Sequence, residues 1–244
     1  MTATQVYALA KPAEKDFLDD YFSDTRTKII PFEVNKGLPT GFNASAALFF
    51  VDPSLMLAKH HRILKQILLE SEKALVFFLG GHSGREWNDL SRIAQLALPL
   101  NASDFEAVVL KQVPYPEEIR VMVIDDEPEL CAGIKEYLES KRSEPRFRVD
   151  CASNGLEAYA KMEAFRPDVC ILDLKMPVKN GHDFFREAQK RFSGFRAIIL
   201  TSSVGPDEIA EIRKLGAPPF VEKGSQRSSF SELTRLIKKT WRFS

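Results

Sequence analysis

The sequence contains little cysteine and no excess of charge of either sign. Its 3 cysteines among 244 residues are too few and too scattered for a disulfide framework or a zinc site. Because 34 Lys and Arg residues balance 34 Asp and Glu residues, the chain offers nucleic acid and anionic membranes no bulk electrostatic attraction. We therefore expect neither nucleic acid nor a membrane as a partner.

Long apolar runs are also missing. A helix that spans a bilayer needs about 18 or more consecutive apolar residues, and the sequence contains no such run. The first residues lack the pattern of a signal peptide. Cys170 lies inside an apolar run, as a buried structural thiol would. These features predict a protein of the reducing cytoplasm.

Two prolines mark a boundary in the middle of the chain. In "VPYPEEI", residues 113–119, Pro114 and Pro116 flank Tyr115, and proline disfavours helix at the residue before it. We predict a domain at residues 1–112, an extended linker at 113–118 and a second domain at 119–244. A chain of 244 residues is long enough for two domains of ordinary size.

In the second half, apolar runs alternate with amphipathic segments five times. The predicted strands are "RVMVIDD", "FRVDCAS", "DVCILDL", "RAIILTS" and "PFVEK", and a segment of helical periodicity follows each of them. Five such units predict a doubly wound α/β fold, in which helices cover both faces of a parallel sheet. The functional site of such a fold lies beyond the carboxyl ends of the strands.

The first half repeats this alternation less clearly. Its predicted strands are "QVYALA", "KIIPFEV", "AALFFVD", "ALVFFLG" and "LALPL", and "WNDLSRIAQ" is a predicted helix before the last strand. The segment "NKGLPTGFN" is too rich in Gly and Pro for a regular helix. Because "ALFFVDP" and "CILDLKMP" are both apolar strands that end in Asp, we predict an internal duplication.

The strand ends of the second half carry polar groups that suit one another chemically. Asp125 and Asp126 follow the first strand, Asp173 the third, Thr201 the fourth and Lys223 the fifth. Carboxylate oxygens are ligands for Mg²⁺, and a carboxylate can act as a nucleophile that forms an acyl phosphate. A cation together with Lys223 would neutralise an incoming phosphoryl group. The Thr201 hydroxyl would bond one of the phosphoryl oxygens.

Residues 119–242 resemble the receiver domain of two-component response regulators. The matching pieces are "IDDEP", "ILDLKMPVKNG", "LTS" and "GAPPFVEK", in this order and at the spacing of βα units. The resemblance implies the flavodoxin-like fold, so we expect two flavodoxin-like doubly wound (βα)5 domains in tandem, the first of them degenerate. It also implies Mg²⁺ as the cofactor and a histidine kinase or phosphotransfer protein as the partner.

The resemblance assigns roles to the acidic residues. It makes Asp173 the phosphoacceptor and a metal ligand, Asp126 a direct Mg²⁺ ligand and Asp125 a ligand mainly through water. The main-chain carbonyl of Lys175 would complete the protein ligands of the metal.

The resemblance also assigns the residues that would sense the phosphoryl group. Thr201 would be the switch hydroxyl and Lys223 the lysine that pairs with phosphate. Phe220 falls where the family has a rotating aromatic residue, and an ordinary core phenylalanine is an equally good interpretation. Gly224 stands where the family usually has proline, which leaves the geometry of this loop open.

The first half lacks this chemistry. No acid lies in the run from Gln5 to Ala10, and no Lys or Arg lies between Arg92 and Lys111. Gly80 and Gly81 stand where the hydroxyl residue is expected. Asp52 remains alone, and we interpret it as a turn residue. The pattern predicts a pseudo-receiver, a fold kept for binding instead of phosphotransfer.

Two other motifs of the first half have simple interpretations. His60 and His61 in "HHRILK" could suggest a phosphotransfer histidine. We favour an ordinary helix on which one of the two histidines is exposed. "GGHSG", residues 80–84, could hold phosphate through backbone amides. A plain loop is favoured, because the Lys and the hydroxyl of a P-loop are missing.

Together these features predict a response regulator that is phosphorylated on Asp173 and acts through protein–protein contacts. The closing helix ends near Trp241, so we expect no DNA-binding output domain, and we expect no enzymatic activity. We expect the output face to be made by the fourth and fifth helices and the last strand of the second half. The first half would form a homodimer, hold a partner or mask that face. One alternative is a Mg²⁺-dependent phosphatase with an aspartyl nucleophile, which would need a general acid where this chain has Lys175. The other is a scaffold whose first domain is the output module.

Overall fold

The computed structural model describes most of the chain. The described residues are 4–23, 25, 27–33, 47–81, 84, 87, 90–113, 115–140, 145–178, 180–202, 205–216, 218–225 and 229–243. The chain divides into two compact units, with a boundary between residues 114 and 115. The predicted linker at 113–118 includes this point, and the ends of the two predicted domains stay predictions.

The first unit contains a sheet of five parallel strands. In chain order its elements are β1 (Gln5–Leu9), α1 (Pro12–Phe22), β2 (Ile29–Pro31), β3 (Ala47–Val51), α2 (Ala58–Glu70), β4 (Ala74–Leu79), β5 (Ile93–Leu96) and α3 (Ala102–Gln112). The strands lie in the order β2-β1-β3-β4-β5, and all four neighbouring pairs are parallel. All residues of the central strands β3 and β4 are buried, as expected for a sheet that is covered on both faces.

The last strand of this sheet differs from the prediction. Ile93–Leu96 form β5, which pairs in parallel with β4. The predicted helix "WNDLSRIAQ" is therefore wrong over its final residues, and the predicted strand "LALPL" begins too late. The spacing of Ile93 and Leu96 also suits a helix, but hydrogen bonds with β4 favour the extended form. Pro99 has no N–H with which to continue the ladder. The segment "NKGLPTGFN" lies outside the described residues.

The second unit repeats the same topology. Its elements are β6 (Glu118–Ile124), α4 (Pro128–Ser140), β7 (Arg146–Ala152), α5 (Gly155–Phe165), β8 (Val169–Leu172), α6 (Gly181–Arg191), β9 (Ala197–Thr201), α7 (Pro206–Gly216), β10 (Phe220–Glu222) and α8 (Phe230–Phe243). The strand order is β7-β6-β8-β9-β10, so each sheet has its first strand between its second and its third. This is the flavodoxin-like order, whose switch point lies between the first and third strands.

The two faces of the second sheet pack against different helices. Val121 and Val123 lie in a cluster with buried residues of α4 and α8, whereas Met122 and Ile124 lie in a cluster with buried residues of α5 and α6. This alternation follows the two-residue period of a strand. Because both faces of the sheet are apolar, the polar side chains of the strands collect at their ends. Among the described helices, none has the length and the hydropathy that crossing a membrane requires.

Two of the three cysteines form a disulfide. Cys131 of α4 is bonded to Cys151 of β7, with 6.3 Å between the two Cα atoms, which is an ordinary separation for a disulfide. The prediction of a reducing compartment did not anticipate this bond, which forms because α4 packs on β7 and brings together residues 20 apart in sequence. Cys170 is free and buried.

Candidate functional site

The carboxyl ends of β6 and β8 lie side by side and carry the predicted acidic residues. The N–H of Asp125 donates to the carbonyl of Ala152 over 2.9 Å, and the N–H of Asp173 donates to the carbonyl of Ile124 over 2.9 Å. These bonds extend the parallel ladder by one residue, so both aspartates start from the same edge of the sheet. That edge is the topological switch point of the fold.

Three carboxylates converge at this edge. Asp125 and Asp173 are only 4% and 3% exposed, whereas Asp126 is exposed. Each of the three offers an oxygen atom within 4.8 Å of the oxygens of the other two. Oxygen donors at this spacing are the ligand type that a hard divalent cation prefers. Burial of two like charges also requires a counter-charge nearby.

Lys223 supplies that counter-charge. Its ammonium lies 2.7 Å from Oδ2 of Asp173 and 2.9 Å from Oδ2 of Asp125. The N–H of Lys223 donates to the carbonyl of Thr201 over 2.9 Å, which anchors the start of the loop beside β9. Burial lowers the pKa of the Lys223 ammonium, but hydrogen bonds to three carboxylates outweigh burial and raise it above its ordinary value. Lys223 is therefore held as a cation.

Two opposing effects act on the carboxyl of Asp125. Burial raises the pKa of its carboxyl, and the hydrogen bonds from Lys223 and from the N–H of Glu127 oppose that rise. Removal of the Lys223 charge would therefore make ionisation of Asp125 still less favourable.

Glu127 is a member of the site that sequence reasoning missed. Its Oε1 lies 2.6 Å from the Lys223 ammonium, although its side chain is more than half exposed. The motif "IDDEP" contains Glu127, but the resemblance assigns roles only to the two aspartates before it. The available signal was its position, because an acid one residue beyond the pair remains at the same edge of the sheet.

Thr201 occupies the end of β9, next to β8. The residue is 2% exposed, and its Oγ1 forms no hydrogen bond with the described residues. A buried hydroxyl without a partner carries a desolvation cost, which an incoming acceptor can offset. Its position and its free hydrogen-bonding capacity suit the predicted contact with a phosphoryl oxygen.

The remaining predicted residues surround this site. The N–H of Lys175 donates to Oδ1 of Asp173 over 3.0 Å, and its side chain is exposed. Phe220 is half-buried and packs against the apolar cluster that contains buried residues of β8 and α6. Gly224 has a φ of 79°, a conformation that glycine adopts without strain. The peptide bond between Lys223 and Gly224 is trans. The metal role of the Lys175 carbonyl and the rotation of Phe220 stay predictions.

Gly181 has a structural role that sequence reasoning did not identify. A Cβ atom at this position would lie 1.9 Å from the carbonyl oxygen of Asp173 and 2.7 Å from the Cα of Leu174. Only glycine therefore lets the first turn of α6 approach the backbone at Asp173. The available signal was "NG" at the end of "ILDLKMPVKNG", where Asn180 caps α6 by accepting from the N–H of Asp183.

The first unit places other residues at the corresponding positions. Leu9 pairs with Val51 as Ile124 pairs with Leu172, and the remaining strands follow in the same register. By this register the first unit has Ala10, Lys11, Asp52, Gly80 and Leu98 where the second unit has Asp125, Asp126, Asp173, Thr201 and Lys223.

Asp52 nevertheless keeps the local geometry of Asp173. Its N–H donates to the carbonyl of Leu9 over 2.7 Å, and its Oδ1 accepts from the N–H of Ser54 over 2.8 Å. The ammonium of Lys11 lies 3.1 Å from its Oδ2. The sequence places no lysine on the fifth strand, where the first unit has Leu98. The structure supplies the ammonium from the end of β1 instead.

The two other motifs of the first unit have structural roles. His60 is buried, and its Nδ1 accepts from the N–H of Leu57 over 2.8 Å, so the imidazole caps the start of α2. Gly80 and Gly81 have φ values of 79° and 90°. The two residues that follow them in "GGHSG" lie outside the described residues.

Comparison with known proteins identifies a domain in the second half. The family described as "Response regulator receiver domain" matches residues 121–235. A protein-glutamate methylesterase/protein-glutamine glutaminase of Treponema denticola is 32% identical over 128 residues, which cover 50% of this chain and 34% of that protein. The chemotaxis protein CheY of Thermotoga maritima is 28% identical over 120 residues, which cover 49% of this chain and 98% of that protein.

A solved structure aligns with the same half. The response regulator domain of Thermotoga maritima CheB is 29% identical, with a TM-score of 0.45, and the match covers 52% of this chain and 98% of that one.

These relatives correct one prediction and identify one domain. The chain spans only 34% and 30% of the length of the methylesterases of Treponema denticola and Bacillus subtilis that it matches. Because proteins with these enzyme names carry the matched domain, the comparisons contradict the prediction of no enzymatic activity. Residues 121–235 of this chain are a response regulator receiver domain.

Proposed function

We propose that this protein is a two-component response regulator whose phosphoacceptor is Asp173. The observation that carries the proposal is the position of the Lys223 ammonium, 2.7 Å from Oδ2 of Asp173, in a site with two further carboxylates. The phosphodonor would be a phosphohistidine of a histidine kinase or of a phosphotransfer protein. We also place the protein in the cytoplasm, where such donors present their phosphohistidines.

The transfer requires a nucleophile of fixed orientation. The N–H of Lys175 holds Oδ1 of Asp173, which restricts rotation of the carboxylate. A carboxylate oxygen of Asp173 forms a bond to phosphorus while the bond between phosphorus and the donor's imidazole nitrogen breaks. The electron pair of that bond stays on the nitrogen. The Lys223 ammonium compensates the negative charge that arrives with the phosphoryl group.

The acidic residues fit a Mg²⁺ ion. Asp126 and Asp173 would bind the ion directly, Asp125 mainly through water, and the carbonyl of Lys175 would add one more oxygen. The fit rests on three carboxylate oxygens within 4.8 Å of one another and on the preference of Mg²⁺ for oxygen ligands and retained water. The bound ion would neutralise charge on the carboxylates and on the phosphoryl oxygens.

Thr201 would report phosphorylation to the rest of the domain. Its buried hydroxyl has no hydrogen-bond partner among the described residues, so a phosphoryl oxygen on Asp173 offers it a first partner. The contact would draw β9 toward the phosphoryl group, and α7, the next helix of the chain, would move with it. This movement would leave space into which the Phe220 ring would rotate. The output face would consist of α7, β10 and α8, which would contact a partner protein.

We further propose that residues 1–112 are a pseudo-receiver, joined by a linker at 113–118 to the receiver at 119–244. The proposal is supported by the shared strand order and by the register that puts Asp52 in the place of Asp173. Ala10 and Lys11 replace the acid pair, so the first domain lacks the carboxylates that would hold Mg²⁺. Its fold would serve binding.

A small phosphorus–nitrogen donor tests the phosphotransfer proposal. The full chain is incubated with phosphoramidate and Mg²⁺, and the gain of one phosphoryl group is followed by intact-protein mass spectrometry. We expect the wild type to gain one group and Asp126→Asn to gain it much more slowly. A wild type that stays unmodified under these conditions would overturn the proposal.

A further inference from the structure

A cleft opens at the carboxyl ends of the strands of the first domain. Its volume is about 570 Å³, and its lining includes Lys11, Asp52, Ser54, Gly80, Gly81 and Leu98. These residues follow β1, β3, β4 and β5, so the cleft lies at the switch point where flavodoxin-like folds bind ligands. A volume of this order accommodates a small molecule of nucleotide size. The phosphotransfer proposed above makes no use of this cleft.

One buried residue of the cleft lining, Asp52, offers a hydrogen-bond acceptor. Asp52 is 3% exposed, and its Oδ2 accepts no hydrogen bond of good geometry from the described residues. Burial favours the neutral carboxyl, but the hydrogen bonds from Ser54 and the positive charge of Lys11 outweigh burial and lower the pKa of Asp52 below its ordinary value. A carboxylate in this position can accept a hydrogen bond from a ligand hydroxyl.

Lys11 provides a cation at the mouth of the same cleft. Its ammonium lies 3.1 Å from Oδ2 of Asp52, and its side chain is 52% exposed. An ammonium that is half exposed can bind a second anion while it stays near Asp52. Because Lys11 occupies the place of Asp126, the charge in this cleft comes from the chain itself. The Lys11 ammonium is therefore the cation of this cleft that an anionic group can contact without a metal ion.

The wall formed by residues after β4 and β5 lacks the polar side chains of the receiver site. Gly80 stands in the place of Thr201, and a Cβ on Gly80 would lie 3.1 Å from Cδ1 of Leu98. Leu98 itself stands in the place of Lys223 and is 39% exposed. This wall therefore offers glycine backbone and an apolar side chain, against which a flat or apolar part of a ligand can pack.

We propose that this cleft binds a phosphate ester of a sugar, either a nucleoside monophosphate or a sugar phosphate, without a metal ion. The phosphate group contacts Lys11, a sugar hydroxyl donates to Oδ2 of Asp52, and the remainder of the ligand packs on Leu98. This function goes beyond phosphorylation of Asp173 and depends on different residues.

Titration calorimetry of the full chain in EDTA tests this site. The probes are adenosine monophosphate, ribose phosphate, adenosine and inorganic phosphate. We expect at least one of the two esters to bind more tightly than both adenosine and inorganic phosphate. Tighter binding of the nucleotide than of ribose phosphate would indicate that the base packs on Leu98, and equal binding would indicate a sugar phosphate site.

Substitutions assign the binding to this cleft. Lys11→Met and Asp52→Asn should each weaken ester binding by about 10-fold or more, the usual effect of losing a charged hydrogen bond. Lys11→Arg should retain binding, and Asp173→Asn should leave it unchanged. The proposal is overturned if neither ester binds the wild type better than inorganic phosphate does. It is also overturned if Lys11→Met binds as tightly as the wild type, or if Asp173→Asn abolishes binding.

Discussion

Lys223 contacts Asp173 through an ammonium–carboxylate distance of 2.7 Å that joins the ends of β10 and β8. In the first domain, Lys11 contacts Asp52 in the same way, but Lys11 comes from the end of β1. The two domains thus place an ammonium on the equivalent aspartate from opposite sides. In the second domain, the positions after the first strand are therefore available to Asp125 and Asp126. In the first domain, Lys11 occupies one of these positions.

Removal of the Lys223 charge should destabilise the receiver domain when no divalent cation is present. Asp125 and Asp173 would then lose the counter-charge that compensates their burial, which costs roughly 3 kcal/mol. We expect Lys223→Met to lower the melting temperature of this domain in EDTA by roughly 10 °C. Differential scanning calorimetry measures the shift, and Mg²⁺ should reverse most of it.

Lys175→Met is the matched control, because this lysine is exposed and its contact with Asp173 is made by the main chain. Its melting temperature should stay within about 2 °C of the wild type, since exposed charges contribute little. Equal melting temperatures for Lys223→Met and Lys175→Met in EDTA would show that Lys223 does not compensate the buried acids.

Gly181→Ala should disturb both folding and Mg²⁺ binding. The added Cβ would meet the backbone at Asp173, where no flexible side chain can move away. We expect a loss of roughly 3 kcal/mol in the free energy of unfolding and weaker Mg²⁺ binding.

Gly133→Ala in α4 provides the comparison for Gly181→Ala. There the new Cβ would lie 3.2 Å from the ring of Phe230, which can shift, and alanine favours the helix by about 1 kcal/mol. Its stability should change by about 1 kcal/mol or less. Urea unfolding compares the two variants, and equal effects would contradict the close approach at Gly181.

A double substitution should give the first domain a metal site. Ala10→Asp with Lys11→Asp restores the acid pair beside Asp52, so titration calorimetry should detect one Mg²⁺ ion more than in the wild type. Ala10→Asn with Lys11→Asn has the same size without the charge and should show no additional ion. An unchanged Mg²⁺ stoichiometry in the Asp variant would argue against the equivalence of the two strand edges.

The disulfide predicts a thiol count. Protein purified without reductant and unfolded in guanidinium should show one reactive thiol, that of Cys170, and reduction should raise the count to three. A thiol reagent such as dithionitrobenzoate measures both values. Three reactive thiols before reduction would mean that Cys131 and Cys151 are not bonded in the purified protein.

The edge of the second sheet could be predicted because its information is local. The first, third, fourth and fifth apolar runs each end in a predicted site residue, and parallel strands place these ends together, as Asp125 and Asp173 show. The strand at Ile93–Leu96 was missed because its apolar spacing also suits a helix and only pairing with β4 decides. The Cys131–Cys151 bond depends on how α4 packs on β7, and no short sequence motif predicts this packing. The partner of Asp52 was missed because its lysine lies on another strand than in the receiver.

The most direct measurement of the central claim is mass spectrometry of three full-length proteins incubated with acetyl phosphate. Wild type and Asp52→Asn should each gain one phosphoryl group in Mg²⁺ and none in EDTA, whereas Asp173→Asn should gain none in either buffer. Because acyl phosphates hydrolyse, the spectra are recorded at short times. Treatment of parallel samples with hydroxylamine checks that the phosphoryl group is held by an acyl linkage. Two results would contradict the assignment of Asp173 as the phosphoacceptor. One is that Asp173→Asn is phosphorylated as fully as the wild type, and the other is that only Asp52→Asn loses phosphorylation.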